Sequence, residues 1–242
     1  MSDAKNIPSR IMFHELNSHD LDGARTFYSR LFGWTFKERE PGYFYMHAGD
    51  TMVGGLFKLP PPEVPAHWIP YISVSTVEDA LERAAAVGCK AIVPAMDVPN
   101  GRFAVLQDPQ GAVFYAWQGR SGERELGPRV AGNFCWDQLN TTDIAASATV
   151  YARLFDWNTA EGPAGGRLFT KRDRPLAGLM QGPPGMRAHW LSFVQVDNLQ
   201  AARVRARESG GRVMVEEIAV PQQGAFSVIA DPEGAVIAAF AA

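Results

Sequence analysis

The feature that most limits the fold is a long internal repeat. Residues 28–34 read YSRLFGW and residues 151–157 read YARLFDW, a shift of 123 positions. The same shift carries DPQGAV at 108–113 onto DPEGAV at 231–236, and AHW at 66–68 recurs at 188–190. Matches that keep their register along almost the whole chain indicate a duplicated domain. We therefore divide the chain into halves, 1–118 and 130–242, joined by a polar linker at 119–129.

Each half repeats one smaller plan. In the first unit, alternation predicts a strand at 10–17, and Asp20 and Gly33 bracket a predicted helix. Three short strands follow, and after a Pro-rich connector the same order recurs. The predicted strands of the first half are 10–17, 34–38, 43–48, 52–59, 67–74, 90–95, 102–107 and 112–117, with helices at 21–32 and 77–87. The pattern predicts an α+β fold with two βαβββ units in each half, and we expect each half to have its own core.

Composition narrows the classes of partner. A net charge of −3 gives no electrostatic support for binding nucleic acid, and no stretch approaches the ~18 apolar residues of a membrane helix. The two cysteines, Cys89 and Cys135, occupy non-equivalent positions of the repeat, which argues against a disulfide framework. We expect a cytoplasmic monomer or homodimer whose partner is a small molecule.

Paired βαβββ units, a helix ending in FYSRLFGW and a DPQGA turn before the last strand together resemble one known superfamily. This is the vicinal-oxygen-chelate superfamily of glyoxalase I, bleomycin-resistance proteins and extradiol dioxygenases, and within it the two-domain glyoxalase-like proteins. The resemblance implies two tandem glyoxalase-like domains, each a half-open barrel of two units. It also implies, for metal-dependent members, a His or Gln on the first strand of each unit and a Glu on the last.

The metal positions implied by the resemblance do not hold metal ligands in this chain. In order, they fall on Phe13, near Gly55, on Ile69 and on Tyr115 in the first half, and on Trp136, near Gly178, on Leu191 and on Ala238 in the second. Neighbouring donors, His14 or Glu15 with His67 and Asp137 with His189, supply at most two ligands per half, too few for a tight site. We therefore expect no metal and no other cofactor, and the missing donors argue against the family's metal-dependent activities.

Several histidine and aspartate residues that resemble candidate functional groups are interpreted as structural. His67 and His189 are interpreted as histidines at strand starts that hydrogen-bond to a neighbouring loop, and His14 as a buried structural histidine. Asp108 and Asp231 precede Pro with Gly two residues further on, which is typical of a turn.

The concave face of the first-half sheet is the candidate site. Strand alternation directs aromatic, apolar and a few polar side chains toward it, as in a small-molecule pocket; the alternative is that they only fill the barrel. The candidate catalytic residues are Glu15, Tyr71 and Tyr115, and the candidate binding residues are Phe13, Asn17, Ile69, Trp117 and Gln138. Apolar surroundings are expected to raise the pKa of Glu15 and suit it to proton transfer. The two tyrosines would orient a substrate oxygen, and Trp117 would stack on an aromatic ring.

The first half is preferred because the second replaces its ionisable groups. Gln138, Phe193, Ala238 and Phe240 stand where the first half has Glu15, Tyr71, Tyr115 and Trp117. The leading interpretation is binding of a small, partly apolar or aromatic molecule, extended to conversion without metal. One alternative is a metal-dependent lyase or dioxygenase with ligands outside the family pattern. Another is a non-catalytic sequestering protein of the bleomycin-resistance type.

Overall fold

The structure, a computed structural model, describes residues 9–60, 63–120 and 130–242. Its first half contains β1 (Ile11–Ser18), α1 (Leu21–Phe32), β2 (Thr35–Glu40), β3 (Tyr43–Ala48), β4 (Thr51–Lys58), β5 (His67–Ser73), α2 (Val77–Ala86), β6 (Lys90–Val98), β7 (Gly101–Gln107) and β8 (Val113–Gly119). Its second half contains β9 (Phe134–Thr141), α3 (Ile144–Phe155), β10 (Asn158–Glu161), β11 (Arg167–Lys171), β12 (Arg174–Gln181), β13 (His189–Gln195), α4 (Leu199–Glu208), β14 (Arg212–Val220), β15 (Gly224–Ala230) and β16 (Val236–Ala241). No helix in these ranges is long and apolar enough to cross a membrane.

Each half forms one eight-stranded sheet that does not close on itself. The strand orders are β2-β3-β4-β1-β5-β8-β7-β6 and β10-β11-β12-β9-β13-β16-β15-β14. In every βαβββ unit the first and last strands pair in parallel, and the other neighbours within the unit pair antiparallel. The predicted α+β fold of two tandem half-open barrels is therefore confirmed.

The helix boundaries follow from local capping chemistry. Asp20 accepts a hydrogen bond from the Gly23 backbone N–H and starts α1, which ends at Gly33 with φ of 75°. Thr76 caps α2 in the same way, and Asp143 and Asn198 cap α3 and α4. Short polar side chains at these positions satisfy amide groups that the first helical turn leaves without partners. The two helices predicted in the first half, 21–32 and 77–87, agree with the observed ends to within a residue.

The chain forms two compact units, and each unit takes one βαβββ unit from each half. We name the two units only by the order of their helices along the chain. The outer unit, with the first and last helices, consists of residues 13–60, 63–69, 130–136 and 191–242. The inner unit, with the second and third helices, consists of residues 9–12, 70–120 and 137–190. The helices α1 and α4 pack together in the outer unit, as do α2 and α3 in the inner unit.

The expectation that each half has its own core is wrong. The outer core joins Trp34 and Leu31 of the first half to Val194 and Ile237 of the second, and the inner core joins both halves in the same way. The physical reason is that each helix covers apolar side chains of its own sheet and of its partner helix at once. The proposed division at 118/119 and 129/130 stays a prediction, because residues 121–129 of the linker lie outside the described residues.

A buried hydrogen-bond chain ties the halves together in the outer unit. Trp68 Nε1 donates to the Tyr28 hydroxyl oxygen at 2.8 Å, and that hydroxyl donates to Asp231 Oδ2 at 3.0 Å. The other carboxylate oxygen of Asp231 accepts the backbone N–H groups of Glu233 and Ala235. Asp231 is therefore the predicted turn residue, and it also anchors a helix from the other half of the chain.

The inner unit repeats this chain with the halves exchanged. Trp190 Nε1 donates to the Tyr151 hydroxyl oxygen at 3.1 Å, and Tyr151 donates to Asp108 Oδ2 at 3.2 Å. Asp108 Oδ1 accepts three backbone N–H groups of its own turn. In both units burial raises the tyrosine pKa well above its ordinary value of 10.0, so the hydroxyl stays protonated and donates.

Replacing Tyr28 with Phe tests this chain. The change leaves the Trp68 indole N–H and Asp231 Oδ2 buried without their hydroxyl partner, so the free energy of unfolding should fall by about 1–3 kcal/mol in urea titrations. As a control, Tyr45→Phe removes a more exposed hydroxyl that accepts from Arg39, and it should cost less than about 0.5 kcal/mol. Equal losses in the two variants would contradict a special role for the buried chain.

Stability should also depend on the protonation of Asp231. Burial raises the pKa of its carboxyl above the ordinary 3.8, outweighing the turn amides that lower it. A raised folded-state pKa means that protonation favours the folded protein, so this contribution is complete below the unfolded pKa and is lost as pH rises through the folded one. The unfolding free energy of the parent, relative to Asp231→Asn, should therefore increase as pH falls toward 3.8. A difference that shrinks with falling pH would oppose this assignment.

Candidate functional site

Three of the predicted site residues meet in one aromatic cluster in the inner unit. Tyr71 on β5 and Tyr115 on β8 are partners in a parallel pair, and their rings stack with centroids 4.1 Å apart. Trp117 meets the Tyr71 ring edge-on at 5.6 Å, and Phe103 meets Tyr115 at 5.2 Å. The two tyrosines are buried and Trp117 is half-buried, so the indole is the more accessible part of the aromatic cluster.

Phe103 was missed in the sequence analysis, which considered only the first and last strands of each unit. The signal was present, because residues 102–107 were predicted as a strand and alternate residues of a strand share a face. In the structure Phe103 pairs in register with Trp117, and Val105 with Tyr115. The third strand of the unit therefore extends the predicted lining.

The other first-half candidates lie in the outer unit. Phe13, Glu15 and Asn17 occupy alternate positions of β1, and Ile69 lies on β5. Glu15 and Asn17 are each only 3% exposed, so both polar side chains belong to the interior of the protein. Glu15 pairs in register with Gly55 of the parallel strand β4.

Close packing explains the glycine at position 55. A Cβ atom there would lie 2.3 Å from the Tyr43 hydroxyl oxygen and 3.2 Å from Phe13 Cε1. At Gly54 a Cβ atom would lie 2.6 Å from the His14 carbonyl oxygen. The chain's own groups, together with a register shift on the facing strand β3, therefore account for the two strand glycines.

The residues present do not fit the metal implied by the superfamily resemblance. The space for a side chain at position 55 is taken by Tyr43 and Phe13, and the remaining first-half positions hold Ile69 and Tyr115. Across the described ranges, no three His, Cys, Asp or Glu side chains are grouped so that they could hold a metal ion. A divalent ion needs several N or O donors, which these apolar and phenolic groups do not provide.

The histidines take the structural roles predicted for them. His14 is 1% exposed and its ring stacks on Phe134 at 3.8 Å. His67 Nδ1 hydrogen-bonds to the Pro65 carbonyl oxygen at 2.8 Å, and burial lowers the pKa of this imidazole below 6.5. Both histidines are therefore held by the packing and loops around them.

Gln138 belongs to a polar chain in the inner unit that the sequence analysis missed. Gln138 Nε2 donates to Asn140 Oδ1 at 2.8 Å, and Asn140 Nδ2 lies 3.3 Å from His189 Nε2. His189 Nδ1 is 3.0 Å from the Arg187 carbonyl oxygen, so Nδ1 carries the proton and Nε2 accepts from Asn140. The loop contact predicted for His189 is confirmed, and the chain fixes the orientation of Gln138.

Comparisons with known proteins agree with this architecture. Residues 10–115 match the family described as the Glyoxalase/Bleomycin resistance protein/Dioxygenase superfamily, and residues 133–240 match the one described as Glyoxalase-like domain. CFP32 of Mycobacterium tuberculosis (strain CDC 1551 / Oshkosh), which bears the name of a glyoxylase, is 29% identical over 92% of this chain and 90% of its own length. The anthracycline biosynthesis protein DauV of Streptomyces sp. (strain C5) is 28% identical over 94% of this chain and 91% of its own.

Among solved structures, the Mn(II)-bound glyoxalase from Novosphingobium aromaticivorans superposes with a TM-score of 0.68. The match covers 97% of this chain and 82% of the other, at 14% sequence identity. At this identity the likeness concerns the fold.

The donor set predicts the metal content of the purified protein. Protein prepared without chelator should carry well under one equivalent of Ni, Zn, Fe or Mn per chain by elemental analysis, because the family positions hold apolar or phenolic residues. Added Mn(II) should leave the unfolding midpoint unchanged, since only binding to the folded state would raise it. A stoichiometric transition metal that only a strong chelator removes would contradict this prediction.

Proposed function

The chain belongs to the glyoxalase/bleomycin resistance protein/dioxygenase superfamily, and from this premise we propose that it binds a small, partly apolar or aromatic molecule. The proposed site is the concave face of the first-half sheet. The observation that carries the proposal is the aromatic cluster, in which the Tyr71 and Tyr115 rings stack at 4.1 Å beside a half-buried Trp117. Aromatic surface with a few hydroxyl groups is the usual lining of a small-molecule site.

The cluster supplies two kinds of interaction. The Trp117 ring offers a face or edge for stacking, worth about 0.5–1.5 kcal/mol per aromatic pair beyond area burial. The hydroxyls of Tyr71 and Tyr115 supply donors for a carbonyl or phenol oxygen of the ligand. The relative named for anthracycline biosynthesis supports an aromatic ligand, because anthracyclines contain fused aromatic rings.

Glu15 is the proposed proton-transfer group of a metal-independent conversion. Its carboxyl group is carried on β1 by a residue that is only 3% exposed. In this role Glu15 takes a proton from the substrate or returns one to it. Phe13 and Asn17 on β1 and Ile69 on β5 are proposed binding residues. Gln138, which stands in the second half where the first half has Glu15, is a further proposed binding residue.

Two alternative functions differ from this proposal, one in the metal donors it requires and the other in the fate of the bound ligand. A metal-dependent lyase or dioxygenase lacks donors at the family positions, which hold Phe13, Ile69 and Tyr115. A sequestering protein of the bleomycin-resistance type would use the same aromatic surface but would release its ligand unchanged. A substitution of Glu15 distinguishes a sequestering protein from an enzyme, because only conversion of the ligand requires proton transfer.

Variants that copy the second half test the proposal. Native mass spectrometry of freshly purified protein identifies any retained ligand, and calorimetry with catechol and 1,4-naphthoquinone measures binding of defined aromatic probes. Tyr115→Ala, which copies Ala238, should weaken probe binding by about tenfold because it removes one ring of the stacked pair. As a control, Phe193→Tyr copies Tyr71 into the second half and should leave the affinity unchanged.

Glu15→Gln copies Gln138 and should keep the fold and the binding of the neutral probes. The same variant should lose turnover of any substrate found, by about 100-fold or more if the carboxyl group transfers the proton. Absence of a retained ligand together with absence of probe binding would contradict the proposed site. Unchanged turnover in Glu15→Gln would contradict the role of Glu15 alone.

A further inference from the structure

A cavity lies in the outer unit, between the end of α1 and the start of α4. Its volume is about 320 Å³. The lining includes Arg30 and Gly33 from α1 and its cap, and Asp197, Asn198 and Arg205 from α4 and the residues before it. We call it the α1–α4 cavity. It shares no lining residue with the aromatic cluster or with Glu15.

The internal repeat shows what is missing from the α1–α4 cavity. In the inner unit Arg83 of α2 holds two carboxylates: its Nε lies 2.9 Å from Asp79 Oδ2 and its Nη1 lies 3.3 Å from Asp156 Oδ1. Arg205 is the repeat counterpart of Arg83, but Ala201 stands in place of Asp79 and Gly33 in place of Asp156. The outer unit has kept the arginine and lost both of its acidic partners.

Among the described residues, no carboxylate pairs with Arg205. Its Nε donates to the Leu31 carbonyl oxygen at 3.1 Å, and it makes no ion pair with any described residue. Arg30, exposed in the last turn of α1, likewise has no acidic partner in the described ranges. The lining residues of the cavity include these two arginines and one aspartate, Asp197, which forms no ion pair with either of them within the described residues.

The backbone at Gly33 leaves room for a ligand in place of the lost side chain. Gly33 has φ of 75° and Asp156 has φ of 55°, so the two residues end their helices in the same left-handed conformation. A Cβ atom at Gly33 would meet no atom within 4 Å. The space that the Asp156 side chain occupies in the inner unit is therefore open in the outer unit.

We propose that the α1–α4 cavity binds a compact oxyanion, the carboxylate or phosphate group of a small ligand, through Arg205 and Arg30. The oxyanion takes the place of the carboxylates that Asp156 and Asp79 supply to Arg83. A planar guanidinium group presents parallel N–H donors that match two oxygens of such an anion. This site is separate from the aromatic ligand site and does not depend on the proposed function.

The decisive variant restores the missing carboxylate. Gly33→Asp copies Asp156 in a backbone conformation that an aspartate already adopts in this chain, so the fold should be kept. Calorimetric titration with inorganic phosphate and, separately, with acetate at low chloride should show saturable binding to the parent protein. Binding should fall at least about tenfold in Gly33→Asp, because the new side chain occupies the space and neutralises Arg205.

A matched control separates this effect from a change in net charge. Gly49→Asp makes the same substitution at another glycine with positive φ, 56°, and no atom within 4 Å of its Cβ position. It should leave anion binding unchanged. Arg30→Gln, at an exposed helix position where the fold tolerates a neutral side chain, should weaken binding without altering the melting transition.

The two probes also distinguish the source of the oxyanion. Tighter binding of phosphate supports a phosphorylated ligand, and tighter binding of acetate supports a carboxylic acid; either result supports the site. The proposal is overturned if the parent binds neither anion saturably, or if Gly33→Asp binds as the parent does. It is also overturned if Gly49→Asp loses as much affinity as Gly33→Asp.

Discussion

Two buried tyrosine hydroxyl groups each connect one half of the chain to the other. Tyr28 lies on α1, receives the indole N–H of Trp68 and donates to Asp231 in the last turn of the other half. Its burial keeps the hydroxyl protonated, and the surrounding apolar core makes each hydrogen bond costly to break. Because Tyr151 does the same in the inner unit, each compact unit depends on one such chain for the position of a helix and a turn.

The residues that build this scaffold are repeated, and the residues that differ lie where ligands are proposed to bind. Trp34 and Trp157 both donate to backbone carbonyl groups contributed by the other half. In contrast, Glu15 is replaced by Gln138 and Tyr115 by Ala238 on the sheet faces. Duplication therefore preserves the packing while the sites diverge, as expected when function resides in local groups and not in the fold itself.

Local chemistry made most of the fold predictable. Helix caps such as Asp20, turns such as the one at Asp108, and strand alternation depend on neighbours in sequence, and these predictions agree with the structure. The partners of the helices were not predictable, because an apolar stripe shows that a face is buried but not which element covers it. The contact of Tyr28 with Asp231 and the packing of Tyr43 over Gly55 join residues from different elements, so no spacing rule revealed them.

The contacts between the halves are reciprocal: Tyr28 meets Asp231 as Tyr151 meets Asp108, and Trp34 meets Gly132 as Trp157 meets Ser9. Such exchange of equivalent partners is the property of an isologous interface, the kind that joins two copies in a C2 homodimer. Here both copies are on one chain, so their association is intramolecular and independent of protein concentration. Covalent fusion also removes the requirement that both copies be identical, and each half is then free to acquire a site that a symmetric dimer would have to carry twice.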